Sequence, residues 1–347
     1  MTGLERCLKT LNHEIPDRIP VLPQDSHVAA YLGGVDFIDW AYDPDKRAKA
    51  SIEQRERFDF DGTILCGETT ILAEAAGAEV VFSKEQCPRW KAGCIDDYRQ
   101  LDDMRIVDPQ KDGRLSVWVD TCRQVAEAIG KEYFVVGRAD QGAFSMASML
   151  RGMTEFMMDL VMAEEDPELK EQIHRLLRYC NDCQFAFVKA MKAAGAHMVT
   201  TGDSIAGPSV CSPDFYYEYC LPYETDMVKR CNEIGIPFSV HICGNAEAIL
   251  DRWMEAKMAM IEIDHKTDFS VARKATRGIC TILGNIDTTM MFLEGYDAVF
   301  EAARQVIELN KPDAELILSS GCLLSSQTPP ENLQALSDAA REFGRFE

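Results

Sequence analysis

The chain has few basic residues for its size. Its 347 residues include 36 Lys and Arg against 57 Asp and Glu, which gives a formal net charge of −21. Proteins that bind nucleic acid need a basic face to displace counterions from phosphates, and anionic membrane surfaces attract proteins through the same kind of charge. We therefore expect neither nucleic acid nor a membrane surface as a partner.

Long apolar runs are also missing. The longest of them, such as the run that ends at Leu150, are well short of the roughly 18 residues that a membrane-spanning helix requires. The chain begins with the residues MTGLERCLK, which are charged almost at once and contain no apolar signal core. These features predict a soluble protein of the cytoplasm.

No segment has the composition of a linker, because the 22 Gly and 14 Pro are spread along the chain. At roughly 150 residues per domain the length allows two domains, but a barrel with insertions fills the same length. We expect residues 1–347 to form a single domain, with residues 1–60 as an N-terminal helical segment packed on it.

Cysteine is abundant, with 13 residues between Cys7 and Cys322. The number is odd and the chain is too long to need disulfides, so we expect reduced thiols, a few of which bind metal. Cys180 and Cys183 form a Cys-x-x-Cys spacing inside a predicted helix, where residues i and i+3 share a face. Without a second pair, this spacing favours packing over a metal or redox site.

Predicted strands and helices alternate in the second half of the chain. Apolar runs predict strands at 196–201, 236–243, 258–264, 280–287 and 316–320, with helical patterns between them. Among the helices, one is predicted from Ser212 to about Asn232 and another is predicted to begin at Asn245. Short connections of this kind require parallel strands with right-handed crossovers. We predict an α/β fold, specifically a (β/α)₈ TIM barrel with an extra N-terminal helical segment. Residues 80–108 read as an insertion or an irregular region.

Polar and thiol side chains lie at or just beyond the C-terminal ends of these strands. This edge carries the functional residues in a barrel, and a doubly wound sheet would use the same edge. His241 and Cys243 are two residues apart on one strand, so both point to the same face, and an imidazole with a thiolate suits tetrahedral Zn²⁺. Cys322 follows a later strand and would supply a third ligand, leaving one position open. Burial in the core is the alternative for each cysteine.

Several motifs occur together in one order along the chain. They are IPDRIPV at 15–21, GAH at 195–197 leading to Asp203, SP at 212–213, HICGN at 241–245, the strand ending in Asp264, LGNID at 283–287, SGC at 320–322 and TPPEN at 328–332. Together they resemble the uroporphyrinogen decarboxylase-like superfamily, and within it the methylcobalamin:coenzyme M methyltransferase branch. The resemblance implies a TIM barrel with His241, Cys243 and Cys322 as zinc ligands. It also implies methyl exchange between the cobalt of a corrinoid, free as methylcobalamin or on a corrinoid protein, and a small methyl acceptor or donor.

The resemblance leaves several activities to compare. Uroporphyrinogen decarboxylases bind substrate carboxylates through an Arg-x-x-x-Arg motif, and residues 20–34 contain no arginine, which makes decarboxylation improbable. Two methyltransferase reactions remain: methylation of a thiol such as coenzyme M, or removal of a methyl group from a methoxy or other donor by Co(I). The ligand set favours the thiol. A third interpretation is a barrel that docks a corrinoid protein without turnover.

Four polar residues near the predicted zinc site each have two interpretations. Asp264 either completes the resting coordination, where related zinc methyltransferases carry an acidic residue, or caps the next helix. Asp203 either supports the second ring nitrogen of His241 or has an N-cap or turn role. Asn245 and Asn285 either hydrogen-bond substrate or corrinoid at the site, or are turn residues.

Overall fold

The computed structural model describes residues 1–346, and four helices precede its first strand. They are α1 (Gly3–Leu11), α2 (Ser26–Leu32), α3 (Phe37–Tyr42) and α4 (Pro44–Phe58). Thr2 and Glu5 form a reciprocal capping box at the start of α1, and the Asp43 side chain caps α4, which has Pro44 in its first turn. The N-terminal helical segment predicted from the sequence is therefore present.

Seven parallel strands form the main sheet in the order β1-β4-β5-β6-β7-β8-β9. They are β1 (Gly62–Leu65), β4 (Phe134–Gln141), β5 (Met198–Gly202), β6 (Phe238–Ile242), β7 (Met260–Ile263), β8 (Thr281–Ile286) and β9 (Leu316–Ser320). Between β1 and β4 the chain forms a separate antiparallel pair, β2 (Glu79–Val81) and β3 (Arg89–Ala92). This pair lies in the region that was predicted to be an insertion.

Helices connect the strands of the sheet. They are α5 (Ile71–Ala75), α6 (Leu115–Ile129), α7 (Ala143–Arg151), α8 (Met153–Met162), α9 (Pro167–Ala193), α10 (Pro213–Tyr219), α11 (Leu221–Glu233), α12 (Leu250–Trp253), α13 (Phe269–Thr276), α14 (Thr288–Leu293), α15 (Tyr296–Asn310) and α16 (Pro330–Phe343). Among the described residues, none of these helices is long and apolar enough to cross a membrane.

Residues 20–22 close the sheet into a barrel. The Leu22 N–H donates to the Leu318 carbonyl at 2.9 Å, and the Leu318 N–H donates to the Pro20 carbonyl at 2.8 Å. On the opposite side, the Asp61 N–H donates to the Val21 carbonyl at 3.0 Å, next to β1. The segment therefore joins the two outer strands, β9 and β1, as an eighth strand, and the predicted (β/α)₈ barrel is confirmed.

Apolar side chains fill the barrel and α1 covers its N-terminal end. Cys7 and Leu11 of α1 belong to the buried cluster inside the barrel, and the Leu4 N–H donates to the Glu132 carbonyl at 2.8 Å. The other buried members of that cluster are Leu22, Ile64, Cys66, Phe134, Val136, Met198, Met260, Leu283 and Ile317. Because this end is packed, polar chemistry is left to the C-terminal ends of the strands.

Three local predictions differ from the structure. The helix predicted from Ser212 to about Asn232 is two helices, α10 and α11, because Pro222 starts a new first turn after Cys220. Asn245 does not begin an α-helix; it precedes a short 3₁₀ turn, Glu247–Ile249. Residues 20–22 were not predicted as a strand.

Candidate metal centre

Three ligand-type side chains converge at the C-terminal rim of the barrel. His241 lies in β6, Cys243 directly follows β6, and Cys322 follows β9. One potential ligand atom from each of the three lies within 4.8 Å of the others, and Cys243 Sγ is 3.3 Å from His241 Nε2. The structure thus brings together the three residues that the sequence predicts as metal ligands.

The loop that carries Cys322 reaches β6 across two intervening strands because of Gly321. The Gly321 N–H donates to the Ile286 carbonyl at 2.7 Å, and a Cβ on Gly321 would lie 2.6 Å from the backbone nitrogen of His265. A side chain here would push the loop away from the rim. Gly244, which follows Cys243, has a φ of +84°, a left-handed conformation that glycine adopts without strain.

The donor set and its spacing fit Zn²⁺. Zinc accepts imidazole nitrogen and thiolate sulfur in tetrahedral sites, where the usual bond lengths place neighbouring nitrogen and sulfur ligands about 3.6 Å apart. The 3.3 Å separation between His241 Nε2 and Cys243 Sγ is close to that value. Three protein ligands leave a fourth position for a small molecule, as in catalytic zinc sites.

The ring of His241 is held by a backbone carbonyl. His241 is 2% exposed, and its Nδ1 lies 3.2 Å from the Glu262 oxygen of the neighbouring strand β7. A carbonyl only accepts hydrogen bonds, so Nδ1 carries the proton and Nε2 faces the thiols. The predicted contact between Asp203 and the His241 ring is therefore wrong, because the backbone of Glu262 occupies that position.

The two thiols share one proton in this arrangement. A hydrogen bond from Cys322 lowers the pKa of Cys243 to about 4, and contacts from His241 and Ser204 act in the same direction against burial. The same hydrogen bond, together with burial, raises the pKa of Cys322 far above its usual range. Burial lowers the pKa of His241, but the neighbouring Cys243 outweighs it and raises that pKa. Cys243 is therefore the thiolate, with Cys322 as its donor, and a bound metal would displace these protons.

Below the ligands lies a polar layer that the sequence interpretation missed. Glu262 is 1% exposed, and its carboxylate accepts from Arg138 Nη1 at 3.1 Å, from Ser239 Oγ at 3.3 Å and from Thr200 Oγ1. Arg138 and Glu262 each interrupt an apolar strand that is buried on both faces. A charged residue in such a strand requires a partner, and that is the signal that identifies the pair.

Asp203 directly follows β5, and its side chain contacts the first turn of helix α7. Its Oδ1 accepts from the Ser145 N–H at 2.8 Å and from Ser145 Oγ at 2.6 Å. Ser145 is in the first turn of α7, whose N-cap Gly142 has no side chain to offer. Burial raises the pKa of Asp203 to about 6. Asp203 thus caps the helix of the neighbouring βα unit, and a catalytic role for it stays a prediction.

Asp264 lies beside the cluster but uses both carboxylate oxygens on backbone donors. Oδ2 accepts from the Gly244 N–H at 2.8 Å, and Oδ1 accepts from the Lys266 N–H at 3.1 Å. The first of these contacts fixes the turn that immediately follows Cys243. Its predicted part in zinc coordination stays a prediction.

The two asparagines make local contacts. Exposed Asn245 accepts from the Glu247 N–H at 2.8 Å, as a turn residue does. Buried Asn285 donates from Nδ2 to the Thr267 carbonyl at 2.9 Å and so ties β8 to the loop after β7. Neither of these hydrogen bonds joins an asparagine to the metal cluster. The predicted roles of Asn245 and Asn285 in binding substrate or corrinoid stay predictions.

Comparison with known proteins gives a consistent group of relatives. The sequence model of the uroporphyrinogen decarboxylase (URO-D) family matches residues 2–343. The methylcobamide:CoM methyltransferase MtbA of Methanosarcina mazei is 27% identical over 350 residues, covering 99% of this chain and 98% of that protein. The MtbA of Methanosarcina acetivorans is 28% identical over 233 residues, covering 67% of this chain but 65% of that protein, just under two thirds of its length.

Two further comparisons bear on fold and on activity. A solved structure of a methyltransferase from Methanosarcina mazei superimposes with a TM-score of 0.87 at 22% identity, covering 99% of both chains, which shows the same fold. A uroporphyrinogen decarboxylase of Aromatoleum aromaticum is 23% identical over 319 residues, covering 89% of this chain and 86% of that protein. The relatives therefore include two activities on one scaffold.

Proposed function

The chain belongs to the URO-D family, and we propose that it is a zinc-dependent corrinoid methyltransferase whose acceptor is a small thiol. The resemblance to the methyltransferase branch is confirmed by relatives that are named methylcobamide:CoM methyltransferases. The finer statements, namely zinc, the thiol and a corrinoid protein as partner, are what the proposal adds.

The observation that carries the proposal is the His241, Cys243 and Cys322 cluster. These side chains would hold Zn²⁺ and leave one position open. A zinc ion held there would lower the pKa of a substrate thiol, so that its sulfur reacts as a thiolate at neutral pH.

The reaction balances without a further reactant. The thiolate sulfur uses an electron pair to form the new S–C bond, while the Co–C bond of the methylcorrinoid breaks and leaves its electron pair on cobalt, taking Co(III) to Co(I). The thiol proton is released to solvent. In this reaction Glu262 holds the His241 ring through its carbonyl oxygen, and Arg138 balances the buried Glu262 carboxylate.

The arrangement of arginines supports this activity over decarboxylation of a substrate with many carboxylates. Residues 20–34 form the closing strand and helix α2 and contain no arginine. Arg114 is paired with Glu68 and Glu74. A substrate with many carboxylates needs several free guanidinium groups, and the one at Arg114 is matched by the protein's own carboxylates.

The test is methyl transfer followed by cobalamin absorbance. Zinc-loaded protein is mixed with methylcobalamin and a thiol under anaerobic conditions, and loss of the methyl-Co(III) spectrum with formation of Co(I) is recorded. We expect turnover with a thiol and none with a methoxy donor in the reverse assay. If only the methoxy donor with Co(I) gives turnover, the substrate is a methyl donor and not a thiol. If methyl-Co(III) and Co(I) are not interconverted with either substrate, the proposal is contradicted.

A further inference from the structure

Two N–H donors converge at the end of β5, beside the strand that carries His241. Gly202, the last residue of β5, is in register with His241 of β6. A Cβ on Gly202 would lie 2.7 Å from Arg138 Nη2 and 2.8 Å from Gln141 Nε2. The absence of a side chain at 202 thus allows a guanidinium nitrogen and an amide nitrogen to approach the same point.

The orientation of the Gln141 amide follows from its neighbours. Its Oε1 accepts from the Ser204 N–H at 3.2 Å and from Ser204 Oγ at 2.9 Å. A backbone N–H only donates, so the oxygen of the amide must face Ser204 and Nε2 must face Gly202. Gln141 is 2% exposed, and its Nε2 has no acceptor among residues 1–346. A buried donor without an acceptor is destabilising, which indicates an acceptor that the protein itself does not supply.

Arg138 presents its free edge to the same place. It is 6% exposed, and Nη1 donates to Glu262 at 3.1 Å and to Thr200 Oγ1 at 3.4 Å. Within the described part of the chain, Nη2 makes no hydrogen bond. A guanidinium group with one edge fixed and the other free is suited to the oxygens of a carboxylate or a sulfonate.

The two donors lie beside the strand that carries His241. Gln141 Oε1 accepts from the backbone and hydroxyl of Ser204, and the preceding residue, Asp203, donates its N–H to the His241 carbonyl at 2.8 Å. A small molecule with its sulfur at the metal centre therefore has these unmatched donors on β4, with only β5 between that strand and β6. Because the protein carries a net charge of −21, an anionic substrate needs such local donors to offset the long-range repulsion.

We propose that Arg138 Nη2 and Gln141 Nε2 form an oxyanion subsite that binds the carboxylate or sulfonate end of the thiol substrate and so determines which thiols react. The inference rests on the proposed function and deepens it. Arg138 and Gln141 act in it as specificity-determining residues.

The sharpest variant is Gln141→Glu. In this variant one carboxylate oxygen still accepts from Ser204. The second oxygen replaces Nε2 next to Arg138, so that the new carboxylate occupies the position of the substrate anion. The matched control is Gln305→Glu, which adds the same charge at an exposed position of α15. Gly202→Ala is a second variant, because its methyl group would displace both donors.

The test measures binding of ligands that carry no thiol. Propionate, ethanesulfonate and neutral propionamide are titrated by calorimetry into zinc-loaded wild type and variants, after equal zinc content has been verified. We expect wild type and Gln305→Glu to bind propionate or ethanesulfonate but not propionamide, and Gln141→Glu and Gly202→Ala to bind at least tenfold more weakly. Propionate binding identifies a carboxylate site, and ethanesulfonate binding a sulfonate site. Equal binding by Gln141→Glu and wild type, or no binding of either anion to wild type, would overturn the proposal.

A kinetic comparison separates this proposal from the proposed function. With methylcobalamin, Gln141→Glu should raise KM at least tenfold for 3-mercaptopropionate or 2-mercaptoethanesulfonate and change KM for neutral 2-mercaptoethanol by a much smaller factor. If KM rises equally for all three thiols, the proposed subsite is wrong, although the proposed methyltransferase activity is supported. If no thiol is methylated but the anions bind wild type and not Gln141→Glu, the subsite stands and the reaction is wrong.

Discussion

At the scale of single residues, the site depends on backbone groups as much as on side chains. The Glu262 carbonyl fixes the ring of His241, and the Gly244 N–H is held by Asp264. Glycines at 244 and 321 allow the two cysteine loops to meet. Backbone contacts of this kind hold ligand side chains in position before a metal binds, which reduces the cost of ordering them.

The contacts of Asp264 lead to a prediction for Asp264→Ala. Because both carboxylate oxygens accept from backbone N–H groups, we expect the variant to keep one zinc per chain and to lose less than about tenfold in zinc affinity through a looser Cys243 turn. Competition with a chromogenic chelator measures the affinity, and methyl transfer should stay measurable.

Asp287→Ala serves as the control, since Asp287 caps helix α14 on the same rim without contacting the ligands. If the zinc affinity of Asp264→Ala falls by more than about a hundredfold while that of Asp287→Ala is unchanged, the Asp264 carboxylate coordinates the metal directly.

At the scale of elements, the barrel depends on a short strand, residues 20–22, that the sequence pattern does not predict. Residues 20–22 lie between Ile19 and Pro23, and prolines at 20 and 23 remove two backbone donors. A periodic pattern needs more residues than this segment contains, so sequence reasoning recognised IPDRIPV as a motif and not as a strand. Its pairing with β9 and β1 is non-local, and only the structure reveals it.

The closing strand can be tested by Leu22→Ala. Leu22 is fully buried inside the barrel, and removing its side chain there leaves a cavity among packed residues, so we expect a loss of about 2–5 kcal/mol in the free energy of unfolding. Urea unfolding of the zinc-loaded protein measures it.

Leu293→Ala is the matched control, because Leu293 is 69% exposed and should change stability by less than about 0.5 kcal/mol. If both variants lost the same small amount, residues 20–22 would not be an integral part of the barrel.

At the scale of the whole molecule, the alternation of strands and helices predicted parallel strands and favoured the barrel, and the family resemblance implied the same fold. The five strands predicted in the second half agree with β5 to β9 within a few residues, and the ligand positions followed from the rule that barrel chemistry lies at the C-terminal ends of strands. Charged residues in apolar strands indicate a buried pair, but the pairing of Arg138 with Glu262 could not be predicted, because it joins strands that are far apart in sequence. The helix that Asp203 caps could not be predicted for a similar reason: its partner Ser145 belongs to another βα unit. The expectation of a single domain stays a prediction.

The central claim is that this barrel holds one catalytic zinc between β6 and β9. The most direct measurement is the zinc content per chain of freshly purified, reduced protein, compared with Cys322→Ser and with Cys87→Ser, whose thiol is also half-buried but lies outside the cluster. We predict about one zinc per chain for wild type and Cys87→Ser, and a large loss for Cys322→Ser with the fold retained. Wild-type protein without zinc after reconstitution, or Cys322→Ser with unchanged zinc, would contradict the account.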